Sequence, residues 1–508
     1  MLHAIPPSPV PGLSSGDTDA GDPLYQRLAT HYRDAIQRGA LPPGVRMPSV
    51  RELMLRHQVS LSTALQVLRR LEDERWLEAR PRVGYFVRDP ALARLGAARE
   101  PDVHALLPPD MAAPFAGINE RISLFLDKAR CASPIRIDLG SAMPATTLFD
   151  PAPLNRLATA LLREQPDVLL RGPSAPHTHP EFQAAMARRA LVCGVSLAPD
   201  EILATLGNSE GVNLALGAVA VPGDVVAVES PTFFGLLQAV EAQGLRALEI
   251  PSSPRTGISL EALELAVRHE PRLKAVVVVP NLQMPSGSVM PDAHKARLVA
   301  FCVEHDLALI EDDIYRELVE SPQVVRPAKA WDRSGQVIYC VSFNKTFAPG
   351  LRQGWMNAGR WQTRVQMLKF ALTRNMQTWS QLLTARSIGA PGYDRQVRRL
   401  RGQLRKQRED AAYAVACYFP PGTRLSLPPG GLSLWLELPG QASASRLYDA
   451  ALARGIRVAP GAMFSNSDRY GHFLRLSCGM PFTPDIEQAY RDLGAMVARL
   501  ADGADAAA

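Results

Sequence analysis

At 508 residues, 46% hydrophobic and 21% charged, the chain is too long for one ordinary domain and can bury a large core. A formal net charge of +6 and a pI near 9.0 are mild and permit an anionic partner without requiring one. Six widely spaced cysteines without a C-x-x-C pair exclude a zinc ribbon or disulfide frame, so no metal is expected. No apolar run approaches the ~20 residues of a membrane helix.

Residues 1–21 are rich in Pro, Ser and Gly, with neither a basic start nor an apolar core. They read as a disordered tail rather than a signal peptide, and the protein is expected to be cytoplasmic. From Pro23 the texture changes. Leu24, Leu28, Tyr32 and Ile36 recur at helical spacing up to Gly39. A second helix begins at Ser49, a natural N-cap with Glu52 at capping-box distance. A third begins near Ser60 and carries Ala64, Val67, Leu68 and Leu71 on its inner face. Trp76–Arg80 and Gly84–Val87 read as two short strands around a turn. Three helices and a basic hairpin make a winged helix-turn-helix over residues 22–90.

That segment holds 12 Arg, no Lys and 8 acidic residues. A basic excess supplies the salt-dependent phosphate part of DNA affinity, and arginine also reads guanine edges. Because recognition helices present their N-terminal residues to the major groove, the candidate DNA contacts are Ser60, Leu61, Ser62 and Thr63. Arg51 from the preceding helix and Arg82 at the wing tip join them. Pro48-Ser49-Val50-Arg51-Glu52 and Gly39 to Arg46 resemble the P-S-x-R-E and G-x-L-x-P-G-x-R patterns of the GntR-type bacterial regulators. Two departures, Leu61 for the usual arginine and Arg82-Val83-Gly84-Tyr85-Phe86-Val87 for the usual wing, point to a different operator.

Residues 91–135 read as a linker with a helical patch from Asn119 to Arg130. From 136 to 502, strand-like and helical runs alternate, arguing for an α/β domain with a mainly parallel sheet and a smaller C-terminal lobe. Strand candidates are 201–206, 224–229, 246–250, 274–279, 307–311 and 337–341. Ligands of such sheets sit beyond the carboxyl ends of strands. Residues 503–508 form a short tail.

The chemically suggestive residues follow those strands. Gly207-Asn208-Ser209-Glu210-Gly211 reads as a Gly-rich turn ahead of a helix over 212–219, offering free N–H groups and a positive dipole end to a phosphate. Phe233 follows the strand ending near Glu229. Leu307 to Tyr315 runs from a buried strand into Glu311-Asp312-Asp313. Ser342-Phe343-Asn344-Lys345 leads to Pro349-Gly350-Leu351-Arg352-Gln353-Gly354-Trp355, placing a lysine near an arginine at a strand end. A nucleophilic lysine needs partial desolvation, and an arginine with hydroxyl and backbone donors suits a phosphate.

This last stretch resembles the S-x-S-K-x-x-x-P-G-x-R-x-G-W loop of fold-type I aminotransferases. The resemblance implies pyridoxal 5'-phosphate held as a Schiff base by Lys345. It places phosphate contacts at Asn208, Ser209, Ser342, Asn344 and Arg352, and a ring-stacking aromatic at Phe233. Asp312 would face the pyridine nitrogen, and Tyr315 the ring oxygen. His472 to Ser477 resembles L-R-L-x-F-S, whose arginine, here Arg475, clamps a substrate carboxylate.

A GntR-type reader joined to such a domain resembles the MocR branch of bacterial regulators. The resemblance implies a DNA-binding homodimer that senses the cofactor or an amine or amino-acid adduct. Several positions depart from an efficient enzyme. Met284 stands where N-P-T-G has its asparagine, Pro173 where a tyrosine is usual, Thr178 for a glycine, and Asn344 for the second serine. An active aminotransferase with an ancillary DNA reader, and a dimer that has lost the cofactor, remain as alternatives. The helix over Arg395 to Arg408, with seven basic residues in fourteen, reads as a solvated face.

Overall fold

The computed structural model describes residues 23–80, 83–89, 96, 117–131, 134–170, 178–374 and 376–502. Both expected tails, Arg82 and Pro173 lie outside them. The chain folds as two compact units, a small N-terminal one reaching Gly96 and a large one carrying most of the remainder.

In the small unit, α1 (Leu24–Gln37), α2 (Val50–His57) and α3 (Leu61–Asp73) precede β1 (Leu77–Arg80) and β2 (Gly84–Val87). Ser49 accepts from the Glu52 amide while the Glu52 carboxylate takes the Ser49 amide, closing the expected capping box. Ser60 caps α3 by accepting from the Thr63 amide. The core is Leu28, Tyr32, Ile36, Val67, Leu68 and Leu71 with neighbours from each helix. The antiparallel wing pairs Leu77 with Val87 through Arg80 with Gly84. The segment before α2 adds a third edge, with Met47 N donating to Tyr85 O at 2.8 Å. That edge was not expected, because Pro and Gly dominate the segment and its pairing is long-range.

The large unit is built on an eight-stranded sheet. Its strands are β4 (Leu203–Thr205), β5 (Val225–Ser230), β6 (Arg246–Ser253), β7 (Gly257–Ile258), β8 (Leu273–Val278), β9 (Ala308–Asp312), β10 (Val337–Ser342) and β11 (Gly354–Asn357), in the order β4-β11-β10-β9-β8-β5-β6-β7. The stretch from β10 to β6 is parallel, while β11 runs antiparallel to both β10 and β4. All six expected strands are present, and β7 and β11 are additions. Val226, Val228, Val277 and Ile310 pack to one side, and Val225, Ala227, Val276 and Leu309 to the other. Helices cover both sides, so these strands are apolar on both faces rather than alternating.

A smaller antiparallel sheet, β12 (Arg424–Ser426), β13 (Ser433–Glu437), β16 (Phe473–Ser477) and β15 (Ala459–Pro460), forms the C-terminal lobe. Near it, β3 (Ile137–Asp138) and β14 (Ile456–Arg457) pair in parallel, placing Asp138 opposite Arg457. The helical patch within 91–135 is a helix over Ile118–Cys131 whose Ile118 and Ile122 join the core of the large unit.

The basic helix belongs to a longer one, Pro391–Tyr418, and is only partly a solvated face. Arg408 is buried against Gly431 O and Glu320, and Arg405 also bonds Glu320. Among the described residues no helix is long and apolar enough to cross a membrane, and no acid, His or Cys cluster could hold a metal.

Candidate functional site

A cavity of about 380 Å³ opens at the carboxyl ends of the parallel strands. Of the parallel strands, β5, β8, β9 and β10 contribute at or just beyond their ends. Thr232 and Phe233 come after β5, Met284 after β8, Asp312 at the end of β9 with Tyr315 just beyond it, and Lys345 after β10.

Lys345 lies on the cavity wall with little exposure. Its Nζ donates to Ala142 O at 2.7 Å and lies 2.9 Å from Met143 Sδ. Burial lowers its pKa to about 8, with Arg475 and Arg352 adding to the effect and Asp312 opposing it. A fraction of the amine is therefore neutral and nucleophilic near pH 7.

Asp312 and Asp313 differ completely. Asp313 is buried beneath the cavity, accepting from Asn281 at 3.0 Å, Arg316 at 2.6 Å and Tyr339 at 2.7 Å. Asp312 lines the cavity and accepts only the Ile314 amide among its described bonds. Burial raises its pKa to about 7, and Asp313 adds to this, while the Ile314 amide and Lys345 oppose it. Asp312 ends β9 and Asp313 follows it, its amide still donating to Cys340 O, so the extended chain sends these neighbours to opposite sides.

At one end of the cavity Asn208, Ser209, Asn344 and Arg352 form a polar cradle. The helix there runs over Gly207–Val219, so Asn208 and Ser209 stand in its first turn rather than in a loop ahead of it. Gly207 has φ +71°, and a Cβ on it would lie 2.9 Å from Asn344 Nδ2 and 3.8 Å from an Arg352 terminal nitrogen. Both polar atoms of the Asn208 side chain and Asn344 Oδ1 are buried without a partner. Buried polar groups are normally satisfied, and of these three atoms only Asn208 Nδ2 is a donor, lying with the Arg352 guanidinium on the same stretch of lining. Ser342 does not reach the cavity wall. Its hydroxyl accepts from the Asn344 amide at 3.3 Å and supports the cradle from behind.

At the other end lies Arg475, buried, with one terminal nitrogen donating to Gly140 O, the other 3.9 Å from Met284 Sδ, and Nε without a partner. Burial lowers its pKa to about 10, against the pull of Tyr315 and Asp138. Phe233 lines the wall between the two ends, beside Phe234 at 4.6 Å between ring centroids. Tyr315 also lines it, and burial pushes its phenol up.

The sequence reading missed Met143, Asp138 and Arg457. Arg457 Nε donates to Asp138 Oδ1 at 2.9 Å, and a second bond joins its terminal nitrogen to Oδ2. Arg457 directly precedes Val458-Ala459-Pro460-Gly461, but nothing local announces its partner. Thr178, in place of a glycine, accepts from the Ala204 amide at 2.9 Å and anchors β4.

In the N-terminal unit Arg51, Leu61 and Ser62 are exposed and Thr63 is half-buried. The Ser60 hydroxyl is engaged by Ser62 and Thr63 as well as by the cap.

The family of bacterial regulatory proteins, gntR family, matches residues 24–87, and aminotransferase class I and II matches residues 142–489. The HTH-type transcriptional regulator YdcR of Escherichia coli K12 is 36% identical over 473 residues, 93% of this chain and 98% of that protein. YjiR of the same strain, also an HTH-type transcriptional regulator, is 34% identical over 477 residues, 94% of this chain and 99% of the relative. Among solved structures, the α-aminoadipate aminotransferase LysN of Thermus thermophilus, complexed with N-(5'-phosphopyridoxyl)-L-leucine, superposes with a TM-score of 0.66 at 27% identity. That match covers 75% of this chain and 98% of LysN. The chain belongs to the MocR-type transcriptional regulators of the GntR family, a helix-turn-helix reader fused to a fold-type I aminotransferase domain.

Proposed function

We propose that the large unit binds pyridoxal 5'-phosphate, with Lys345 as its covalent anchor, and that cofactor or amine occupancy sets how the small unit engages its operator. The observation that carries this reading is the set of unpartnered Asn208 and Asn344 side-chain atoms beside Arg352, in the same cavity as a buried lysine of pKa about 8. Pyridoxal phosphate, when bound, supplies an electrophilic aldehyde carbon and an electron-withdrawing ring.

The chain's own residues do the rest. Asn208, Ser209, Asn344 and Arg352 hold the phosphate, with Ser342 fixing Asn344. Phe233 covers one face of the ring. Asp312 holds a proton at the ring nitrogen, and Tyr315 stands toward the ring oxygen. Lys345 presents a neutral amine, and Arg475 receives an effector carboxylate through its free Nε. Met284 offers only a weak thioether acceptor where an amide donor would tighten the ring. Losing such a contact, at ~0.5–1.5 kcal/mol, suits a sensor with adjustable occupancy.

Arg51, Ser62, Thr63 and Arg82 contact DNA, and Ser60 orients α3. A homodimer places two readers on two half-sites.

The test is a gel shift on the chain's own promoter region, with and without pyridoxal phosphate, beside the visible spectrum of wild type and Lys345→Ala. A cofactor band lost in the variant, and a shift altered by cofactor, are expected. No band after added cofactor rejects the sensor. An active aminotransferase is the second reading, favoured by Lys345, Asp312, Tyr315 and Arg475 all lying around one cavity. Steady turnover of an amino acid and keto acid pair would establish it.

A further inference from the structure

Two arginines stand near the effector end of the cavity, yet they are not equivalent. Arg457 is locked fork to fork on Asp138, whose Oδ1 also accepts the Gly140 and Ser141 amides at 3.0 Å each. Its charge is paired, and its Nε and one terminal nitrogen are committed to Asp138. Arg475 keeps a free, buried Nε. Its guanidinium carbon lies 5.4 Å from the centroid of Phe464, which meets Phe234 edge-on at 6.1 Å. The cavity lining also carries the apolar Phe234, Leu236, Ala239, Met463 and Leu126, with Ser141, Asn213, Thr232 and Tyr448 among its uncharged polar members outside the cradle. Among the described lining residues the remaining charged groups are Lys345, Asp312 and Arg352.

We propose that the effector is an α-amino acid with one carboxylate and a bulky apolar side chain, the carboxylate on Arg475 and the side chain against Phe234, Leu236 and Met463. The inference rests on the cofactor-binding reading and adds the ligand's class to it. A second carboxylate would find Arg457 already paired, and a second ammonium would find Asp138 already paired. Either charge would be desolvated without a partner, a penalty that discriminates strongly. A large aliphatic or aromatic side chain exchanges water for this wall at a gain.

The experiment titrates the full-length, pyridoxal phosphate-loaded protein with L-leucine, L-phenylalanine, L-glutamate, L-lysine and isoamylamine, following the cofactor's visible spectrum. Leucine and phenylalanine are expected to saturate at concentrations at least about tenfold below glutamate, lysine and isoamylamine. Arg475→Lys should weaken leucine by about tenfold or more and leave isoamylamine within about twofold, because only the former carries a carboxylate. A merely structural Arg475 would move both alike. Asp138→Asn should release Arg457 and narrow the leucine-to-glutamate gap by about threefold or more.

Glutamate or lysine saturating at or below the leucine concentration overturns the inference while leaving cofactor binding intact. Equal weakening of leucine and isoamylamine by Arg475→Lys does the same. Absence of a cofactor spectrum before any titration rejects the underlying reading, and the inference with it.

Discussion

Gly207 and Asn344 approach so closely that a Cβ on the glycine would stand 2.9 Å from the asparagine Nδ2. The glycine also holds φ +71°, a region that costs an L side chain roughly 1–2 kcal/mol. Gly207→Ala therefore both strains the turn and fills the cradle. Pyridoxal phosphate affinity, measured by fluorescence or absorbance titration, is expected to fall at least about tenfold, with thermal stability reduced by that same amount of strain.

Cofactor capture should follow the protonation of Lys345. With a pKa of about 8, the neutral amine grows about tenfold per pH unit below that value and levels off above it. Stopped-flow absorbance of apo-protein mixed with pyridoxal phosphate should show that profile. Arg475→Met removes a cation that lowers the lysine pKa and should move the midpoint upward. A flat profile across that range would reject the assignment of Lys345.

The same shift bears on apo-protein stability. Below pH 8 the lysine is charged in both folded and unfolded states, and the folded state bears the full cost of burying that charge. Between about 8 and 10.5 the folded protein has shed a proton that the unfolded chain still holds, so the cost diminishes as pH rises. Lys345→Met should stabilise apo-protein at pH 7 by up to about 3 kcal/mol, a gain that shrinks toward pH 10 in urea melts.

Neighbouring acids should respond in opposite ways. Asp313→Asn leaves the buried Arg316 guanidinium without its charge partner and is expected to cost about 3–5 kcal/mol of stability. Asp312→Asn removes a carboxyl that burial already disfavours, and should leave the melt within about 1 kcal/mol while altering the bound cofactor's spectrum. Equal melting losses in the two would contradict their assigned sides.

On the DNA side, Arg51→Ala should weaken operator binding and reduce the salt slope by about one. Ser60→Ala should instead destabilise α3 by about 1 kcal/mol through the lost cap, with the salt slope unchanged. Fluorescence anisotropy at several salt concentrations separates the two.

Much of this was legible locally. The Ser49–Glu52 box, the buried positions of α3 and the apolar runs of β5, β8, β9 and β10 arise from contacts a few residues apart or from simple periodicity. The lysine loop, the acidic end of β9 and the arginine of β16 were read from short motifs, and the structure brings them around one cavity. Strand β11 escaped because its first two residues, Gly354 and Trp355, close the lysine motif, and only pairing with β4 and β10 makes the four a strand.

By itself, the sequence determined two units, their order and the residue types able to carry the chemistry, because capping, periodicity and motif spacing are local properties. Tertiary structure decided that Asp313 is turned onto Asn281, Arg316 and Tyr339, that Ser342 stands behind the cradle, and that Arg457 is paired with Asp138. Those last two residues are 319 positions apart, joined only through the pairing of β3 with β14. Whether a charged group is free or already paired depends on such long-range contacts, and here it separates Arg475, whose Nε has no partner, from Arg457, which is paired with Asp138.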